Sequence, residues 1–360
     1  MINLDKLKQN LDACASIVHR VPGASMMIVT KGMCADPGIV KLAADHPAVE
    51  YVADSRIQNL KTYADKVREK GKKTVLLRLP MHSEASEVVR YADLSLNSEI
   101  STIRLLDQEA EKAGLVHQVL LMIDLGDLRE GIFYQNEEEI FAVVSEILKM
   151  QHIKLHGLGV NLTCYGAIIP KHDNLSLLVE LGRKIEKAFS ITLQMISGGN
   201  SSSIYLIGRG ELPEGINNLR LGESFLLGND TAYGTNIPGT VRDTLVLQAE
   251  IIELKDKPSY PIGEIGVDAF GHRPEYVDTG MMTRGIIAIG QQDAQLDSMI
   301  PLDHDIKILG GSSDHIIVDL SRCHTQYQVG DVLSFTLGYG GMLKAATSPY
   351  VEKVYRGTAQ

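Results

Sequence analysis

Residues 24–36 read ASMMIVTKGMCAD, and this stretch decides how the rest of the chain is interpreted. It begins with an apolar run typical of a buried strand, and Lys31 stands where that run ends. Gly32 follows, and Asp36-Pro37 has the form of a helix start. A lysine that loses water at the end of a buried strand has a lowered pKa, which makes its amine available as a nucleophile or a base. The alternative is a lysine whose side chain simply leaves the strand for solvent.

Outward from this stretch, strand-like and helix-like segments alternate. The strand candidates lie near 26–31, 50–53, 74–79, 93–97, 118–124, 154–161, 193–197 and 218–221. Helical periodicity is found at 2–20, 54–69, 98–113, 137–150 and 174–188. Several of the strands are continuously apolar, as expected for parallel strands covered on both faces. This alternation predicts an α/β fold, a (β/α)8 TIM barrel, with a doubly wound open sheet as the alternative.

The pattern changes after about residue 230, where Gly and Pro separate strand-like runs that follow one another directly. These runs are 240–254, 283–289, 306–309, 315–320 and 332–337. We predict no helix in this half, which therefore has the pattern of a mostly β domain. The expected domains are a barrel over 1–232 and a C-terminal β domain over 233–360.

Composition narrows the possible functions. The 360 residues carry a formal net charge of −10, which argues against nucleic acid or an anionic membrane surface as a partner. The N-terminus lacks a secretory apolar segment, and no apolar run is long enough to span a bilayer. The four cysteines are scattered and have no zinc-type spacing, so we expect reduced thiols in the cytoplasm and no metal site.

In a (β/α)8 barrel, binding and catalytic residues lie at the C-terminal ends of the strands. At the ends of the seventh and eighth predicted strands stand the segments SGGNSSS (197–203) and RLGE (220–223). Both have the form of an anion cradle, because Gly and Ser in tight turns expose backbone N–H groups and hydroxyls. Together with Lys31 at the end of the first strand, they indicate a phosphorylated cofactor that reacts with an amine.

These residues resemble the fold-type III pyridoxal-phosphate (PLP) enzymes, the superfamily of alanine racemase and ornithine decarboxylase. Within it, the chain is most similar to the ornithine racemase branch of the alanine racemase family. The matching segments follow one another in order at 29–31, 123–131, 197–201, 219–223, 288–293, 311–315 and 338–341. The resemblance implies an alanine racemase-like fold, a PLP-dependent racemase acting on ornithine or lysine, and a homodimer with shared active sites.

The resemblance also implies a role for each matching residue. Lys31 would bind PLP as a Schiff base, and Asn161 stands where the family often has a histidine beside the cofactor ring. Arg220 would face the pyridine nitrogen, where decarboxylases have a glutamate. Because an arginine disfavours a protonated ring, it favours proton exchange over loss of CO₂; the alternative is an ion pair with Glu223 or another carboxylate. The residues that would hold the phosphate are Asn200, Ser201, the backbone at Gly222 and Glu223, and Tyr339.

Racemisation needs acid–base groups on both faces of Cα, and Lys31 would serve one of them. The tyrosine that alanine racemases use on the other face is missing from the corresponding segment 266–272. His272 can carry a proton near neutral pH, and Ser313 matches the reactive cysteine of the decarboxylases. Both remain candidates for the second catalytic group.

Two residues are expected to select the substrate. Arg129 would bind the α-carboxylate with its planar fork of donors, unless it forms a structural pair with Asp124 or Asp127. Asp314 would receive the distal ammonium of ornithine or lysine, unless it only caps a turn. The alternative functions are a racemase of alanine, lysine, arginine or serine, a basic amino-acid decarboxylase, or a non-catalytic PLP carrier.

Overall fold

The computed structural model describes residues 1–268 and 270–357. Its strands are β1 (Ile2–Asn3), β2 (Ser25–Val29), β3 (Tyr51–Asp54), β4 (Lys73–Leu76), β5 (Leu94–Asn97), β6 (His117–Asp124), β7 (Ile132–Phe133), β8 (Ile153–Val160), β9 (Met195–Ser197), β10 (Asn218–Leu221), β11 (Val246–Pro258), β12 (Met281–Ile287), β13 (Met299–Pro301), β14 (Lys307–Gly311), β15 (Ile316–Asp319), β16 (Val332–Leu337) and β17 (Tyr355–Arg356). Its α-helices are α1 (Leu4–Val18), α2 (Pro37–Asp45), α3 (Ile57–Glu69), α4 (Ala85–Tyr91), α5 (Ile100–Ala113), α6 (Glu137–Ile147), α7 (His172–Phe189), α8 (Ile204–Arg209), α9 (Glu223–Leu227) and α10 (Tyr339–Thr347).

The chain divides into two compact units. The barrel unit is Leu4–Arg242, and the β unit combines Met1–Asn3 with Asp243–Gly357. Within the described residues, no helix is both long and apolar enough to cross a bilayer.

Eight parallel strands close into the barrel of the barrel unit. Their order is β2-β3-β4-β5-β6-β8-β9-β10, and β10 pairs back onto β2. The closed ring confirms the predicted (β/α)8 fold and is incompatible with an open, doubly wound sheet. The interior is filled by buried apolar side chains, which include Met27, Val29, Tyr51, Ala53, Val75, Leu94, Leu96, Leu120, Met122 and Met195.

The helices of the barrel unit bury one apolar stripe each. In α7, Leu175, Leu178, Leu181 and Ile185 are buried at the spacing of three and four residues that an amphipathic helix requires. Burial of these stripes is what ties the helices to the sheet. The alternation of strands and helices therefore leaves all eight C-terminal strand ends at one rim, where the loops are free to carry function.

The β unit contains a six-stranded antiparallel sheet in the order β13-β16-β11-β12-β15-β14. A separate pair joins the first strand of the chain to the last, with Ile2 beside Tyr355 in parallel register. The prediction that this half has no helix is wrong, because α10 follows β16. The helix was missed because it starts at Tyr339 with Gly340 and Gly341 next, and glycine has low helix propensity.

Candidate active site

Lys31 lies at the C-terminal end of the first barrel strand. Thr30 precedes it and is tethered to the next strand, since its hydroxyl donates to Asp54 Oδ2 at 2.8 Å. Lys31 itself opens a short 3-10 turn and is half-buried. Among the described residues, its ammonium has no hydrogen bond or ion pair. The side chain is therefore held at the rim without a partner for its amine.

Burial lowers the pKa of the Lys31 ammonium below its ordinary value. The positive charge of Arg129 lowers this pKa further, while the carboxylates of Asp54 and Glu130 act in the opposite direction. A lowered pKa increases the fraction of neutral amine at a given pH. Lys31 is thus better suited than an exposed lysine to act as a nucleophile or a base.

The chain turns sharply after Lys31. Cys34 and Ala35 both have a left-handed backbone, with φ of 51° and 54°. Asp36 then accepts hydrogen bonds from the N–H groups of Gly38 at 3.0 Å and Ile39 at 3.2 Å, and Pro37 is the first residue of α2. The helix start predicted at Asp36-Pro37 is confirmed, and it fixes the position of the turn that carries Lys31.

Arg220, on β10, is a buried guanidinium with only 4% of its surface exposed. Its Nη1 donates to Ser197 Oγ at 2.8 Å, and its Nη2 donates to the carbonyl oxygen of Val160 at 2.7 Å. Burial lowers the pKa of Arg220 to about 10. Within the described part of the chain no carboxylate is within ion-pair distance of it, so a salt bridge with Glu223 is excluded.

The loop after β9 is built around glycines and serines. Gly199 has φ of 110°, and a Cβ there would lie 2.8 Å from Ser203 Oγ, so only glycine fits without strain. Ser201 Oγ accepts hydrogen bonds from the N–H groups of Gly222 at 3.3 Å and Ser224 at 3.1 Å. The two predicted cradle segments are therefore in contact through Ser201. The N–H groups of Gly222 and Ser224 are thus occupied by the hydroxyl of Ser201, which ties the two segments together.

Asn200 connects this loop to the loop after β8. Its Nδ2 donates to the carbonyl oxygen of Leu162 at 2.9 Å and to Asn161 Oδ1 at 3.1 Å, while its Oδ1 accepts from the N–H of Ser202 at 2.8 Å. The side-chain amide of Asn200 is thus occupied by the protein itself. Its contribution to anion binding would have to come from the backbone.

Two buried polar atoms in these loops have no hydrogen-bond partner among the described residues. They are Asn161 Nδ2 and Ser202 Oγ. Buried polar groups are almost always satisfied, so two unsatisfied atoms in the loops after β8 and β9 indicate a place that gains polar partners from a ligand. Glu223 is the first residue of α9, and burial raises the pKa of its carboxyl.

The loop after β6 presents Arg129. Both carboxylate oxygens of Glu130 accept hydrogen bonds from the Arg129 guanidinium, through Nε and Nη2. Asp124 and Asp127 accept backbone N–H groups instead, so the alternative that Arg129 pairs with either of them is wrong. The sequence analysis did not single out Glu130, because an adjacent Arg-Glu pair is common on solvated surfaces.

Asp127 also has a structural role that the sequence analysis did not assign. It is fully buried and accepts hydrogen bonds from the N–H groups of Thr163 at 2.9 Å, Tyr165 at 3.0 Å and Ile168 at 3.3 Å. These bonds hold the loop that follows Asn161 against the loop that carries Arg129. The exposed Cys164 lies on this loop, with its Sγ 3.4 Å from Asn200 Nδ2.

The other predicted site residues belong to the β unit. Tyr339 is the first residue of α10. Asp314 is exposed and accepts hydrogen bonds from Ser312 at 3.1 Å and Ser313 at 3.3 Å. It is also 2.9 Å from His315 Nδ1, and the hydrogen bond from His315 lowers the pKa of the Asp314 carboxyl.

His272 lies in the segment between β11 and β12 and is exposed to solvent. Its Nδ1 is 3.6 Å from Asp268 Oδ2, and the Asp268 Oδ1 accepts its backbone N–H at 2.8 Å. The contacts of His272 within the β unit, both with Asp268, do not assign it a role in a reaction.

Comparisons with known proteins give a consistent picture. The profile of the family described as alanine racemase, N-terminal domain, matches residues 2–229. An ornithine racemase of Acetoanaerobium sticklandii is 51% identical over 98% of both chains, and a lysine racemase of Thermotoga maritima is 35% identical over 99% of this chain and 97% of its own. The solved structure of a Bartonella henselae alanine racemase with covalently bound pyridoxal phosphate is similar at a TM-score of 0.71, with 15% identity over 99% of this chain and 98% of that one.

Proposed function

This chain belongs to the alanine racemase family, and from that membership we propose that it interconverts L- and D-ornithine by removing the Cα proton and returning it on either face. The family is one of PLP-dependent isomerases, so the chain is an amino-acid racemase. Two observations on the described residues carry the proposal: the Lys31 amine has no hydrogen bond or ion pair, and the buried Arg220 has no carboxylate within ion-pair distance. The similarity to an ornithine racemase supports the choice of substrate.

The barrel rim fits PLP in its donor chemistry. When bound, the cofactor supplies an electron-withdrawing ring that acidifies the Cα–H bond. Lys31 offers an amine for its aldehyde, and the Gly- and Ser-rich turns that meet at Ser201 are the proposed place of its phosphate. The unsatisfied Asn161 Nδ2 gives a further polar group that a cofactor could satisfy beside the ring. We propose Asn161, Asn200, Ser201, Arg220, Gly222, Glu223 and Tyr339 as the residues that hold it with Lys31.

Arg220 supports racemisation over decarboxylation. A guanidinium donates hydrogen bonds and accepts none, so it cannot stabilise a protonated ring nitrogen. Its location on β10, with Ser197 and Val160 fixing two of its N–H groups, leaves little freedom for it to move away. The low-dielectric surroundings make its charge more effective at short range.

Lys31 is proposed to move the proton on one face of Cα. Because its pKa is lowered by burial, a larger fraction of its amine is neutral at a given pH than for an exposed lysine, and the neutral amine can accept the proton. The group on the other face is proposed to be His272 or Ser313. Ser313 Oγ is 3.3 Å from Asp314 Oδ1, a contact that would support a hydroxyl acting as a proton carrier.

Substrate selection is proposed to depend on Arg129 and Asp314. Arg129 would bind the α-carboxylate through the donors that Glu130 does not occupy. Asp314 would bind the distal ammonium, and its lowered pKa keeps it ionised at neutral pH. Because the ε-ammonium of lysine is only one methylene farther from Cα, lysine is the second candidate substrate, and the similarity to a lysine racemase supports it.

A homodimer is proposed as the active form. The segment between β11 and β12 exposes apolar side chains that a soluble monomer rarely shows together, including Ile262 at 93% exposure and Val277 at 79%. We expect Ile262→Asp with Val277→Asp to shift the protein from dimer to monomer in light scattering and to reduce activity.

The four free cysteines support a cytoplasmic location.

The deciding experiment incubates the purified protein and PLP with L-ornithine in ²H₂O and separates the enantiomers over time. D-ornithine that carries deuterium at Cα is the expected product. Putrescine and CO₂ would instead indicate a decarboxylase, and unchanged L-ornithine without deuterium would indicate a carrier. Lysine, arginine, serine and alanine measured in the same way rank the substrates.

A further inference from the structure

Glu130 is held against Arg129 by a two-point contact. Its Oε2 accepts from Arg129 Nε and its Oε1 accepts from Nη2. The side chain of Glu130 is 13% exposed, whereas that of Arg129 is 41% exposed. A two-point pair fixes the plane of a guanidinium, because both donors must stay aligned with both oxygens. The contact therefore fixes the plane of the Arg129 guanidinium, and it does so through Glu130, the more buried of the two side chains.

The loop that presents this pair is anchored at both ends. At its start, Asp124 Oδ1 accepts the N–H groups of Gly126 at 2.8 Å and Leu128 at 3.1 Å. At its end, Gly131 has φ of 122°, and a Cβ there would lie 2.6 Å from the backbone nitrogen of Asp124. The chain then returns beside β6, with Ile132 paired to Ile123. Such a closed loop holds Glu130 at a defined position on the rim.

The charges of Arg129 and Glu130 both act on Lys31 and on Arg220. Arg129 lowers the pKa of Lys31 and of Arg220, and Glu130 raises the pKa of both. Glu130 therefore offsets the repulsion that Arg129 exerts on its neighbours. Without this carboxylate, Arg129 would lose its ion-pair partner while Lys31 and Arg220 lie at the same end of the barrel, and Asp127, which is beyond ion-pair distance, would balance its charge only in part.

We infer that Glu130 is a positioning residue, which holds the guanidinium of Arg129 so that its Nη1 edge is free for the substrate carboxylate and balances its charge beside Lys31. The inference rests on the proposed function, in which Arg129 binds the α-carboxylate. Nη1 suits this role because it has no hydrogen bond among the described residues, while Nε and Nη2 are occupied. Glu130 itself need not touch the substrate.

The first test follows Lys31 in cofactor-free protein and needs no activity. The pH dependence of Lys31 trinitrophenylation is measured by peptide mapping in wild type, Glu130→Gln, Arg129→Gln and the control Glu111→Gln. Glu111 is exposed near the end of α5, on the side of the barrel where the strands begin and away from their C-terminal ends. Loss of the Glu130 charge moves the midpoint to lower pH, loss of the Arg129 charge moves it to higher pH, and the control leaves it unchanged.

The second test separates orientation from charge during turnover. Glu130→Gln is expected to raise the KM for ornithine by about tenfold, as one charge-assisted contact becomes poorly aligned, with a much smaller change in kcat. Glu130→Asp keeps the charge but shortens the side chain, so it should restore the Lys31 midpoint while KM stays raised. Equal KM and equal midpoints in Glu130→Gln and Glu111→Gln would overturn the inference. A protein that racemises no amino acid but shows the opposed midpoint shifts would refute the proposed function and leave the charge balance by Glu130 intact.

Discussion

Replacement of Arg220 by methionine is expected to stabilise the cofactor-free protein while abolishing its activity. The side chain is 4% exposed and has no carboxylate partner among the described residues. Methionine has a similar length and no charge to desolvate. Replacing buried charges by apolar groups of similar volume is often stabilising.

The expected gain in the free energy of unfolding follows from the burial of the Arg220 charge. The fall of the Arg220 pKa to about 10 corresponds to a cost of roughly 3 kcal/mol for the charged form, at about 1.4 kcal/mol per pH unit. Against this, the carbonyl of Val160 loses a donor, which costs about 1–2 kcal/mol. Ser197 Oγ keeps its 2.7 Å hydrogen bond to Asn218 Oδ1. The net gain is about 1–2 kcal/mol, or a rise of roughly 2–6 °C in melting temperature for a unit of this size.

The assay is thermal unfolding of cofactor-free wild type and Arg220→Met, with racemisation of ornithine measured on the cofactor-loaded proteins. Arg104→Met is the matched control, because Arg104 is exposed and pairs with Glu146 at the surface; a change within about 0.5 kcal/mol is expected there. Activity of Arg220→Met should fall by about a hundredfold or more. A melting temperature below that of wild type would refute the reasoning, since the guanidinium would then be a net stabilising group.

Three further predictions concern the other parts of the site. Lys31→Ala should abolish the PLP adduct that borohydride traps in wild type, as judged by mass spectrometry, and an adduct that persists would remove Lys31 from the reaction. Asp314→Ala should reduce kcat/KM for ornithine by about tenfold or more while leaving that for alanine nearly unchanged, because only ornithine presents a distal ammonium; equal losses would give Asp314 a purely structural role. Asp127→Asn should lower the free energy of unfolding by about 2–4 kcal/mol, since a buried carboxylate that accepts three N–H groups becomes an amide. The same change at the exposed Asp65 is the control, and similar melting temperatures for the two variants would contradict the anchoring role of Asp127.

The fold could be predicted from the sequence because its signals are local. Each barrel strand is a short apolar run, and each covering helix repeats its apolar residues every three or four positions. The start of α2 was predicted correctly because Asp36 and Pro37 act on the backbone directly beside them. The helix α10 was not predicted, because Gly340 and Gly341 hide a helix whose stability comes from the burial of Met342 and Ala345.

The site could be predicted only in part. Lys31 and Arg220 could be assigned to one end of the barrel from the sequence, because residues at the ends of neighbouring strands of a closed barrel meet at one rim. The partner of Arg129 could not be found from residue types, since Asp124, Asp127 and Glu130 are all carboxylates on one short loop. Which of them accepts backbone N–H groups depends on the path of the chain, as Leu128 with φ of 58° illustrates. The bond between Asn200 and Leu162 is likewise set by the meeting of two loops that are distant in sequence.

The pairing of Ile2 with Tyr355 has a consequence for how the protein is made. Ile2–Asn3 and Tyr355–Arg356 are separated in sequence by the whole of the barrel unit, Leu4–Arg242, and by most of the β unit, so this pair cannot form until all of that chain has been made. Such a large loop closure is expected to be slow and to come late. The amino group of Met1 donates to the carbonyl of Val246 at 2.8 Å, and Ile2 is buried, so an affinity tag joined to Met1 would disturb these contacts and lower the yield of folded protein.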